Sequence, residues 1–440
     1  MDFLLTLQRN PLEALHQSFL EFGDVVHFQI GWLHAYFLNH PDLIQHVLQL
    51  NNRNYHKDTF QYNLLSAITG RGLLTSDGDY WLRQRRLIQP AFHRTRIQTL
   101  ETLIIEATEK VLSNWENAAE SGRLIDIDAE MMRLTLEIIG KALFSVDLSG
   151  AADRLTRAVL TALDYIIQLA RNPIRLPTWV PTQKQRAFQE ALKELDHAVY
   201  GLIRERRGHS VKARPELEID LLDLLLMARD EQTGLGMTDQ ELRDEVITLI
   251  IAGHETVASA LTWTWYLLAS NPPIYRKLQQ LISHTLRSRP PRSTDLSGLS
   301  YVRQVFEESL RLYPPAWIIT RKSLDADRIG DFKIPPGALV AISPHTIHRH
   351  PVFWDQPERF NPERFGPGCT AQRPRYVYIP FGGGPRLCIG DNLAFFEAQL
   401  IIARVTQRFR LELTSSAPVE PEPLVTLRPQ KPILMRVKKL

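Results

Sequence analysis

The feature that most constrains the fold is an unbroken helical pattern from Thr238 to Ser270. Thr238 and Glu241 have the T-x-x-E spacing of a capping box, and Asn271-Pro272-Pro273 ends the pattern. At about 1.5 Å per residue, such a helix is roughly 50 Å long, enough to cross a large domain. Its middle, Val246 to Ala252, is apolar on nearly every side, which is typical of a buried helix. The sequence therefore predicts a large domain built around this helix.

The rest of the chain predicts a mainly α protein with small β-sheets, an α+β fold. From about residue 80 to 325 the pattern is almost wholly helical, and short alternating runs near both ends predict strands. Two of these runs flank Trp32 and predict a hairpin. The proline-rich residues 173–181 and the basic stretch Arg204–Arg214 are expected to be loops between helices.

Composition narrows the class of protein. Of the 440 residues, 44% are hydrophobic and 23% are charged, and the net charge of +3 carries no signature of nucleic-acid binding. The two cysteines, Cys369 and Cys388, argue against a disulfide scaffold and for a reducing compartment. The N-terminal apolar run is interrupted at residues 8–10, and no other window is expected to reach the roughly 20 residues that span a bilayer. We expect a cytoplasmic protein without a membrane anchor, forming one domain over residues 1–440 because no linker-like segment divides the chain.

A glycine-rich segment precedes one of the cysteines: residues 381–390 read FGGGPRLCIG. A lone cysteine is more often a small buried hydrophobe than a ligand, but three consecutive glycines indicate a sharp turn or a close approach to something flat. The helical pattern that follows places Cys388 at a helix N-terminus, where the helix dipole and Arg386 favour a thiolate. No Cys or His partner lies at zinc-like spacing. A nucleophile and a soft metal ligand both fit these residues.

This segment resembles the haem-binding signature of the cytochrome P450 family at every defining position. The resemblance implies a cytochrome P450 fold with the long helix over the haem, haem b (heme b, iron protoporphyrin IX) as cofactor, and Cys388 as the axial ligand of the iron. Phe381 and Gly390 are carried over as cofactor-binding residues of the same signature. In the family the Cys thiolate favours cleavage of the O–O bond. Three further motifs follow the family's order, so the resemblance covers nearly the whole chain.

The first of these motifs is Glu308-Ser-Leu-Arg311, an E-x-x-R pair on a predicted helix. Such a pair is common by chance and is usually a surface ion pair. The resemblance implies instead a buried Glu–Arg–Arg network that locks the loop beneath the haem. Its third member is expected to be Arg364, whose spacing to the cysteine is favoured over that of Arg359 in the phrase PERFNPERF. The role is structural, because losing one partner strands a buried charge at a cost of roughly 3–5 kcal/mol.

The second motif is Ala252-Gly-His-Glu-Thr256, midway along the long helix. A Gly in a helix costs nearly 1 kcal/mol relative to Ala, and a Thr often bonds back to a carbonyl one turn earlier. The resemblance implies that oxygen lies against this part of the helix and that the backbone opens to admit it. Thr256 would then hydrogen-bond the bound dioxygen, while Glu255 relays protons from solvent. His254 is interpreted as a packing or surface residue.

The third motif is Trp81-Leu-Arg-Gln-Arg85. Trp81 and Arg85 share a helix face, and the resemblance implies that they meet a haem propionate, with Arg321 and Arg386 as further partners. Arg83 and Arg86 either form a solvated face or belong to a basic patch. That patch, completed by Arg94 and Arg96, would lie on the cysteine side of the haem, where an acidic ferredoxin or flavodoxin docks.

The resemblance also implies a substrate pocket lined mostly by apolar side chains, together with the loop around residues 55–74. The lining residues are Leu249, Ala252, Ala316, Trp317, Ile318 and Val425. Trp317 is bulky enough to narrow the channel. The lining predicts a small hydrophobic substrate, such as a fatty acid, terpenoid, steroid or polycyclic compound, which the sequence does not rank. Arg71 is interpreted as an exposed loop residue rather than a carboxylate anchor.

Together these motifs predict a monomeric cytochrome P450 monooxygenase that inserts one oxygen atom from O2 into a hydrophobic substrate. Electrons are expected from NAD(P)H through a separate ferredoxin or flavodoxin and its reductase, because no flavin or iron–sulfur segment is found in this chain. Two alternatives stay open: a peroxide-driven peroxygenase or hydroperoxide isomerase on the same fold, and a non-catalytic haem sensor or carrier. The pair Glu255-Thr256 argues against both.

Overall fold

The computed structural model describes residues 6–7, 9–145, 152–171, 182–208, 219–369 and 371–440. The chain divides into two compact units, whose boundary falls in the long helix between His254 and Glu255. The first unit comprises Met1–His56, Glu101–Leu134 and Glu255–Leu440; the second comprises Lys57–Leu100 and Thr135–His254. The single domain expected over residues 1–440 stays a prediction.

The first unit holds every strand that the structure describes. Its largest sheet contains β1 (Val25–Ile30), β2 (Leu33–Leu38), β3 (Tyr55–His56), β5 (Ile319–Ser323) and β8 (Leu339–Ile342), in the order β1-β2-β8-β5-β3. Only the β2–β8 pair within it is parallel. A second sheet has the order β4-β12-β9, from β4 (Ile125–Asp126), β9 (Phe409–Leu413) and β12 (Leu434–Lys439). Two hairpins pair β6 (Asp327–Ile329) with β7 (Phe332–Ile334), and β10 (Pro421–Pro423) with β11 (Leu427–Pro429).

Helices make up most of both units. The first unit contains α1 (Pro11–Phe22), α2 (Pro41–Gln45), α6 (Glu101–Ser121), α12 (Pro272–Leu286), α13 (Ser300–Leu312), α14 (Pro344–Ile347) and α15 (Asp391–Arg408). The second unit contains α3 (Phe60–Thr69), α4 (Gly78–Ile88), α5 (Arg94–Thr99), α8 (Ala152–Arg171), α9 (Gln183–Gly208) and α10 (Leu221–Met227). Two helices contribute residues to both units: α7 (Ile127–Phe144) and α11 (Asp239–Ser270).

Local sequence signals account for several of these elements. The hairpin predicted around Trp32 is confirmed as β1 paired antiparallel with β2. The capping box of α11 is also confirmed: Thr238 N–H donates to Glu241 Oε2 at 2.8 Å, and Glu241 N–H donates to Thr238 Oγ1 at 3.2 Å. These signals depend on neighbours in sequence, which is why they could be recognised without the fold.

Three expectations need correction. The strands β4 and β5 interrupt the region expected to be almost wholly helical, because sheet pairing with distant strands stabilises them. Arg204 to Gly208 are the end of α9 rather than a loop, and Arg206 in this stretch is buried in an ion pair with Asp220 at 2.6 Å. Residues 209–214 and 173–181 lie outside the described residues.

The third correction concerns membrane-spanning length. By length and hydropathy α11 also suffices to cross a bilayer, although no window was expected to do so. However, 83% of its apolar window is buried inside the protein. A buried core helix and a membrane span share this composition, so only the burial tells them apart.

Candidate active site

Cys388 lies in a loop of the first unit that leads into α15. Its backbone N–H donates to the Phe381 carbonyl oxygen at 3.0 Å, which closes the segment between them. Helix α15 begins at Asp391 with Gly390 as its N-cap, so the cysteine stands two residues before the cap. The Phe381 ring packs against Phe395 of α15 with ring centroids 5.3 Å apart. This loop presents an exposed thiol from a well-anchored backbone.

Close packing within the protein accounts for two of the three glycines in this loop. A β-carbon on Gly384 would lie 1.9 Å from the Leu48 carbonyl oxygen, and one on Gly383 would lie 2.5 Å from the Tyr376 ring. Gly384 also has a φ of +64°, a conformation that residues with a β-carbon rarely adopt. A side chain at either position would displace the loop, so these glycines fix where the Cys388 thiol lies.

Glu308 and Arg311 form an ion pair on α13 in which neither side chain is exposed. Arg311 donates from Nε to Glu308 Oε2 at 2.7 Å and from Nη2 to Oε1 at 2.8 Å. Arg311 Nη1 also donates to the carbonyl oxygens of His348 and Pro357. The pair therefore holds the long loop that follows β8, as a bidentate charge pair with its remaining donors satisfied.

The structure brings the guanidinium of Arg364 to Glu308, whereas Arg359 meets the pair only through its carbonyl oxygen, which accepts from Arg311 Nη2 at 3.3 Å. Arg364 Nε lies 3.4 Å from Glu308 Oε1, and its side chain is mostly buried. The Arg359 side chain is exposed and donates to Gln356 Oε1 at 3.1 Å. The two PERF phrases thus differ in environment although they are identical in sequence.

Three residues in the middle of α11 are accessible, although every other side chain from Leu242 to Trp265 is buried. They are Ala252, which is exposed, and Gly253 and Thr256, which are half-buried. Positions i and i+4 share a helix face, so Ala252 and Thr256 form one accessible strip with small side chains. Such a strip offers a surface that a flat cofactor or a small ligand would cover.

The structure explains Gly253 by close packing of two helices, whereas the expectation was that the helix backbone opens here to admit oxygen. A β-carbon on Gly253 would lie 2.8 Å from Ile139 Cδ1 of α7, so the glycine permits close contact between these helices. His254 is 1% exposed, in agreement with its interpretation as a packing residue, and its carbonyl oxygen accepts from Thr135 Oγ1 at 3.1 Å.

Glu255 is buried among polar groups of the first unit. Its side chain lies beside Thr426 and within electrostatic reach of Arg428 and Asp128. Burial raises the pKa of Glu255, while the Arg428 charge and the Thr426 hydroxyl oppose this rise. Glu255 Oε2 has no hydrogen-bond partner among the described residues. A buried carboxyl with a raised pKa and an uncommitted oxygen is suited to holding and releasing a proton.

The residues expected to contact haem carboxylates lie on separate elements. Arg321 is 5% exposed on β5, and its Nη1 donates to the Thr320 carbonyl oxygen at 2.8 Å. Arg386 is half-buried in a 3-10 turn of the Cys388 loop. In the second unit, Trp81 is buried and Arg85 half-buried on α4. Their contact with the haem stays a prediction.

Two arginines of the expected basic patch are neutralised within the second unit. Arg83 Nη1 lies 2.6 Å from Glu241 Oε1, and Arg86 Nη2 lies 2.8 Å from Asp230 Oδ2. Each is therefore partly exposed and paired with a carboxylate of its own unit. The docking surface expected around these residues stays a prediction. Arg94 remains exposed.

Four of the residues predicted to line the substrate pocket come together in the first unit. The Trp317 indole N–H donates to the Leu424 carbonyl oxygen at 2.9 Å, and Leu427 N–H donates to the Pro315 carbonyl oxygen at 3.0 Å. This pairing brings the segment of Ala316, Trp317 and Ile318 beside that of Val425. Trp317 and Ile318 also pack against a core cluster of α1, β1 and β2. The Trp317 ring is thus anchored in the protein.

The remaining two predicted pocket positions are on α11. Leu249 is 6% exposed and Ala252 is exposed. Arg71 is exposed, as expected, and its guanidinium stacks over the Tyr80 ring at 4.2 Å.

A family model for cytochrome P450 matches residues 3–437. The chain belongs to the cytochrome P450 family. This P450 is 36% identical over 424 residues to cyclooctatin synthase of Streptomyces melanosporofaciens, covering 96% of this chain and 90% of that protein. It is 33% identical over 432 residues to pentalenene oxygenase of Streptomyces avermitilis, covering 98% and 93%.

The fold of this P450 agrees with its sequence relatives. The solved cytochrome P450DA haem domain matches with a TM-score of 0.88 at 25% identity, covering 98% of this chain and 93% of that one. The prediction of a mainly α P450 fold with small sheets is confirmed. The protein is a cytochrome P450 monooxygenase, and its cofactor is haem b.

The residues of this P450 fit haem b by their chemistry. Cys388 exposes a thiol, the soft ligand of haem–thiolate enzymes, on a backbone held by glycine contacts. Arg321 and Arg386 supply planar guanidinium groups that suit propionate carboxylates. The small side chains of the accessible strip on α11 leave room beside a flat ring system.

Sequence reasoning missed three residues that surround Glu255: Asp128, Thr426 and Arg428. No motif marks them, because they come from α7 and from the hairpin of β10 and β11, far from Glu255 in the chain. The one signal for Thr426 and Arg428 was their closeness in sequence to Val425, a predicted pocket residue.

Proposed function

We propose that Cys388 is the axial ligand of the haem iron in this P450, and that the enzyme hydroxylates a cyclic terpenoid. The observation that carries the ligand assignment is the exposed thiol on a loop whose position is fixed by Gly383 and Gly384. A rigidly held, accessible thiol suits metal ligation, whereas the other thiol, Cys369, lies outside this loop.

When bound, haem b supplies the redox chemistry that activates O2 with two electrons. Cys388 would hold the iron as a thiolate and supply electron density to it. Arg321 and Arg386 would hold the propionates, and Trp81 and Arg85 are proposed as further propionate partners on the strength of their motif. The protein's part is to hold the cofactor and to control protons and substrate.

Proton supply is assigned to Glu255 and Thr256. Burial keeps the Glu255 carboxyl protonated to higher pH than a solvated carboxyl, so it carries a proton into an otherwise apolar helix. Thr256 lies on the accessible strip, where its hydroxyl would be placed to donate a hydrogen bond to oxygen. An acid and an alcohol in adjacent positions provide the two protons that monooxygenation consumes.

The terpenoid class is favoured by the names of the relatives, and the predicted lining argues against fatty acids. One relative is named for pentalenene, and the other for the synthesis of cyclooctatin. The residues Ala316, Ile318 and Val425 offer apolar surface without a fixed charge to hold a carboxylate. A screen of cyclic terpenoids and fatty acids for a substrate-induced change of spin state tests this; a response to fatty acids alone would contradict it.

Electrons are proposed to come from NAD(P)H through a separate ferredoxin or flavodoxin and its reductase. The enzyme is proposed to be a monomer in the cytoplasm. Beside the Cys388 loop, a surface depression of about 520 Å³ includes the exposed residues Arg375 and Leu387. An arginine and an apolar side chain at its edge suit an acidic protein partner. We expect Arg375→Glu to slow reduction by an acidic ferredoxin and to leave dithionite reduction unchanged.

The ligand assignment is tested by replacing each cysteine. Cys388→Ser should abolish the red-shifted absorption of the reduced carbon monoxide complex, while Cys369→Ser should retain it. Turnover with surrogate ferredoxin and reductase tests the reaction, and the product should contain one added oxygen atom. Product formation with hydrogen peroxide alone, and none with the electron-transfer proteins, would identify a peroxygenase instead.

A further inference from the structure

The hairpin of β10 and β11 is pinned to α11 by two side chains one helical turn apart. Ser259 Oγ donates to the Leu427 carbonyl oxygen at 2.6 Å, and Trp263 Nε1 donates to the same oxygen at 2.8 Å. Leu427 lies between Thr426 and Arg428, so both of these side chains are held close to α11. Glu255 is one turn before Ser259 on the same helix face.

Thr426 and Glu255 are both almost completely buried, at 4% and 2% exposure. The Thr426 hydroxyl lies close enough to the Glu255 carboxyl to oppose the rise of its pKa. Thr426 Oγ1 and Glu255 Oε2 have no other hydrogen-bond partner among the described residues. A buried polar atom with an incomplete set of hydrogen bonds lowers the stability of the fold. The arrangement is therefore unfavourable for stability alone, and a proton-transfer chain needs such uncommitted donors and acceptors.

The other side of Thr426 leads to an ion pair that reaches solvent. Arg428 Nη2 pairs with Asp128 Oδ2, and their side chains are 25% and 13% exposed. Thr262 Oγ1 lies 3.4 Å from Asp128 Oδ1, while its hydroxyl donates to the Ala258 carbonyl oxygen at the shorter distance of 2.9 Å. The buried Thr426 hydroxyl thus stands between the partly exposed Arg428–Asp128 ion pair and the buried Glu255 carboxyl.

We infer that Thr426 relays protons to Glu255, and that the Arg428–Asp128 ion pair positions this relay. The inference rests on the proposed role of Glu255 as proton donor. Glu255 releases its carboxyl proton toward the reacting oxygen and becomes a carboxylate. The Thr426 hydroxyl donates its proton to that carboxylate and accepts another from solvent at the Arg428 side, so the hydroxyl is regenerated.

The proton supply by the relay agrees with the stoichiometry of monooxygenation. Two protons, with two electrons from NAD(P)H through the redox partner, convert one atom of O2 to water while the other enters the substrate. Arg428 is the positive group nearest the relay, and it is faced by Glu255, by Asp128 and Asp126, and by Glu422 in register on β10. Its charge stabilises the transient Glu255 carboxylate and lowers the cost of releasing the proton.

The test compares three variants of the haem-loaded enzyme with surrogate ferredoxin and reductase and a substrate that it turns over. Thr426→Val removes the hydroxyl at nearly constant volume, and we expect coupled turnover to fall at least about tenfold. The solvent deuterium isotope effect should increase, with more hydrogen peroxide released per NAD(P)H. Thr426→Ser keeps the hydroxyl and should restore wild-type values.

Thr264→Val is the matched control, because it removes an equally buried threonine hydroxyl of α11, one that donates to the Ala260 carbonyl oxygen at 2.7 Å and has no part in the relay. It should leave coupling and the isotope effect unchanged. Turnover driven by hydrogen peroxide gives a second control, because peroxide brings its own protons. Thr426→Val should match the wild type in that assay, whereas a variant that is merely misfolded would lose both activities.

The outcomes separate the relay from the function on which it rests. Wild-type coupling and isotope effect in Thr426→Val, with impaired turnover in Glu255→Gln, would overturn the relay and leave the role of Glu255 intact. Unchanged turnover in Glu255→Gln would overturn the proton-donor role itself. If Thr426→Val binds no haem, Thr426→Ala is measured by the same two readouts.

Discussion

Two regions of the first unit each bury a glutamate, and the two carboxyl groups differ in their hydrogen-bond partners. Glu308 on α13 has no exposed side-chain surface, and both of its oxygens accept from Arg311. Its Oε1 also accepts from the Asn361 backbone N–H at 2.9 Å. Glu255 on α11 is equally deep, but one of its oxygens has no partner among the described residues.

The difference separates a structural carboxylate from a chemical one. A fully paired buried charge is costly to disturb and does not release its partners, so Glu308 holds a loop in place. A half-satisfied carboxyl with a raised pKa can change its protonation without breaking the fold, so Glu255 can serve in catalysis. The comparison predicts that one position governs stability and the other governs rate.

The largest effect is expected for Glu308→Ala. Removing the glutamate leaves the Arg311 guanidinium buried without its counter-charge, which should lower the free energy of unfolding by roughly 3–5 kcal/mol. Urea unfolding and haem content measure this. Glu307→Ala is the control, because its partner Arg303 is about half exposed and the loss should be under about 1 kcal/mol. Equal losses in the two variants would remove the distinction.

Glu255→Gln should lower the rate of turnover and leave the stability of the fold nearly unchanged. We expect coupled turnover to fall about a hundredfold, because the amide cannot supply the proton. Stability should change by less than about 1 kcal/mol, since the carboxyl that it replaces is favoured in its neutral form. Coupled turnover is measured as product formed per NAD(P)H consumed, and stability by urea unfolding. A large loss of stability with normal coupling would make Glu255 a second structural glutamate.

A third buried glutamate, Glu397 on α15, extends the comparison to a carboxyl without a charged partner. Burial raises the pKa of Glu397 to about 8. The folded state therefore binds this proton more tightly than the unfolded state, whose Glu pKa is about 4.3. Its stabilising effect is complete below about pH 4.3 and is lost as the pH rises through the folded-state pKa.

Glu397→Gln should remove that pH dependence. Between about pH 5 and 8 the wild type should lose stability relative to the variant by up to about 1.4 kcal/mol per pH unit. Thermal unfolding of both proteins across this range measures the difference. Parallel curves would mean that Glu397 is ionised in the fold and has a partner, as Glu308 does.

The smallest effect distinguishes the two PERF arginines. Arg364→Ala should lower the free energy of unfolding by about 1–2 kcal/mol, because Glu308 keeps Arg311 but loses a second charge nearby. Arg359→Ala should change it by less than about 0.5 kcal/mol, because that side chain is exposed. Urea unfolding of both variants, made in the same background, decides between them.

Much of this was predictable from local spacing. The capping box at Thr238 and Glu241, the hairpin around Trp32 and the segment around Cys388 depend on residues close together in the chain. Glu308 and Arg311 lie one helical turn apart, so their ion pair could be predicted as soon as the segment was predicted to be a helix. The burial of that pair needed the whole fold.

The sequence by itself determined the family, the haem cofactor and the long helix, because each depends on short patterns that survive in any context. Only the tertiary structure decided that Arg364 rather than Arg359 approaches Glu308, that Gly253 makes room for Ile139, and that Arg83 and Arg86 are neutralised. It also brought Thr426, Arg428 and Asp128 to Glu255. The physical reason is the same throughout: burial and charge pairing are set by residues far apart in the chain, and their distances are fixed only when the chain has folded.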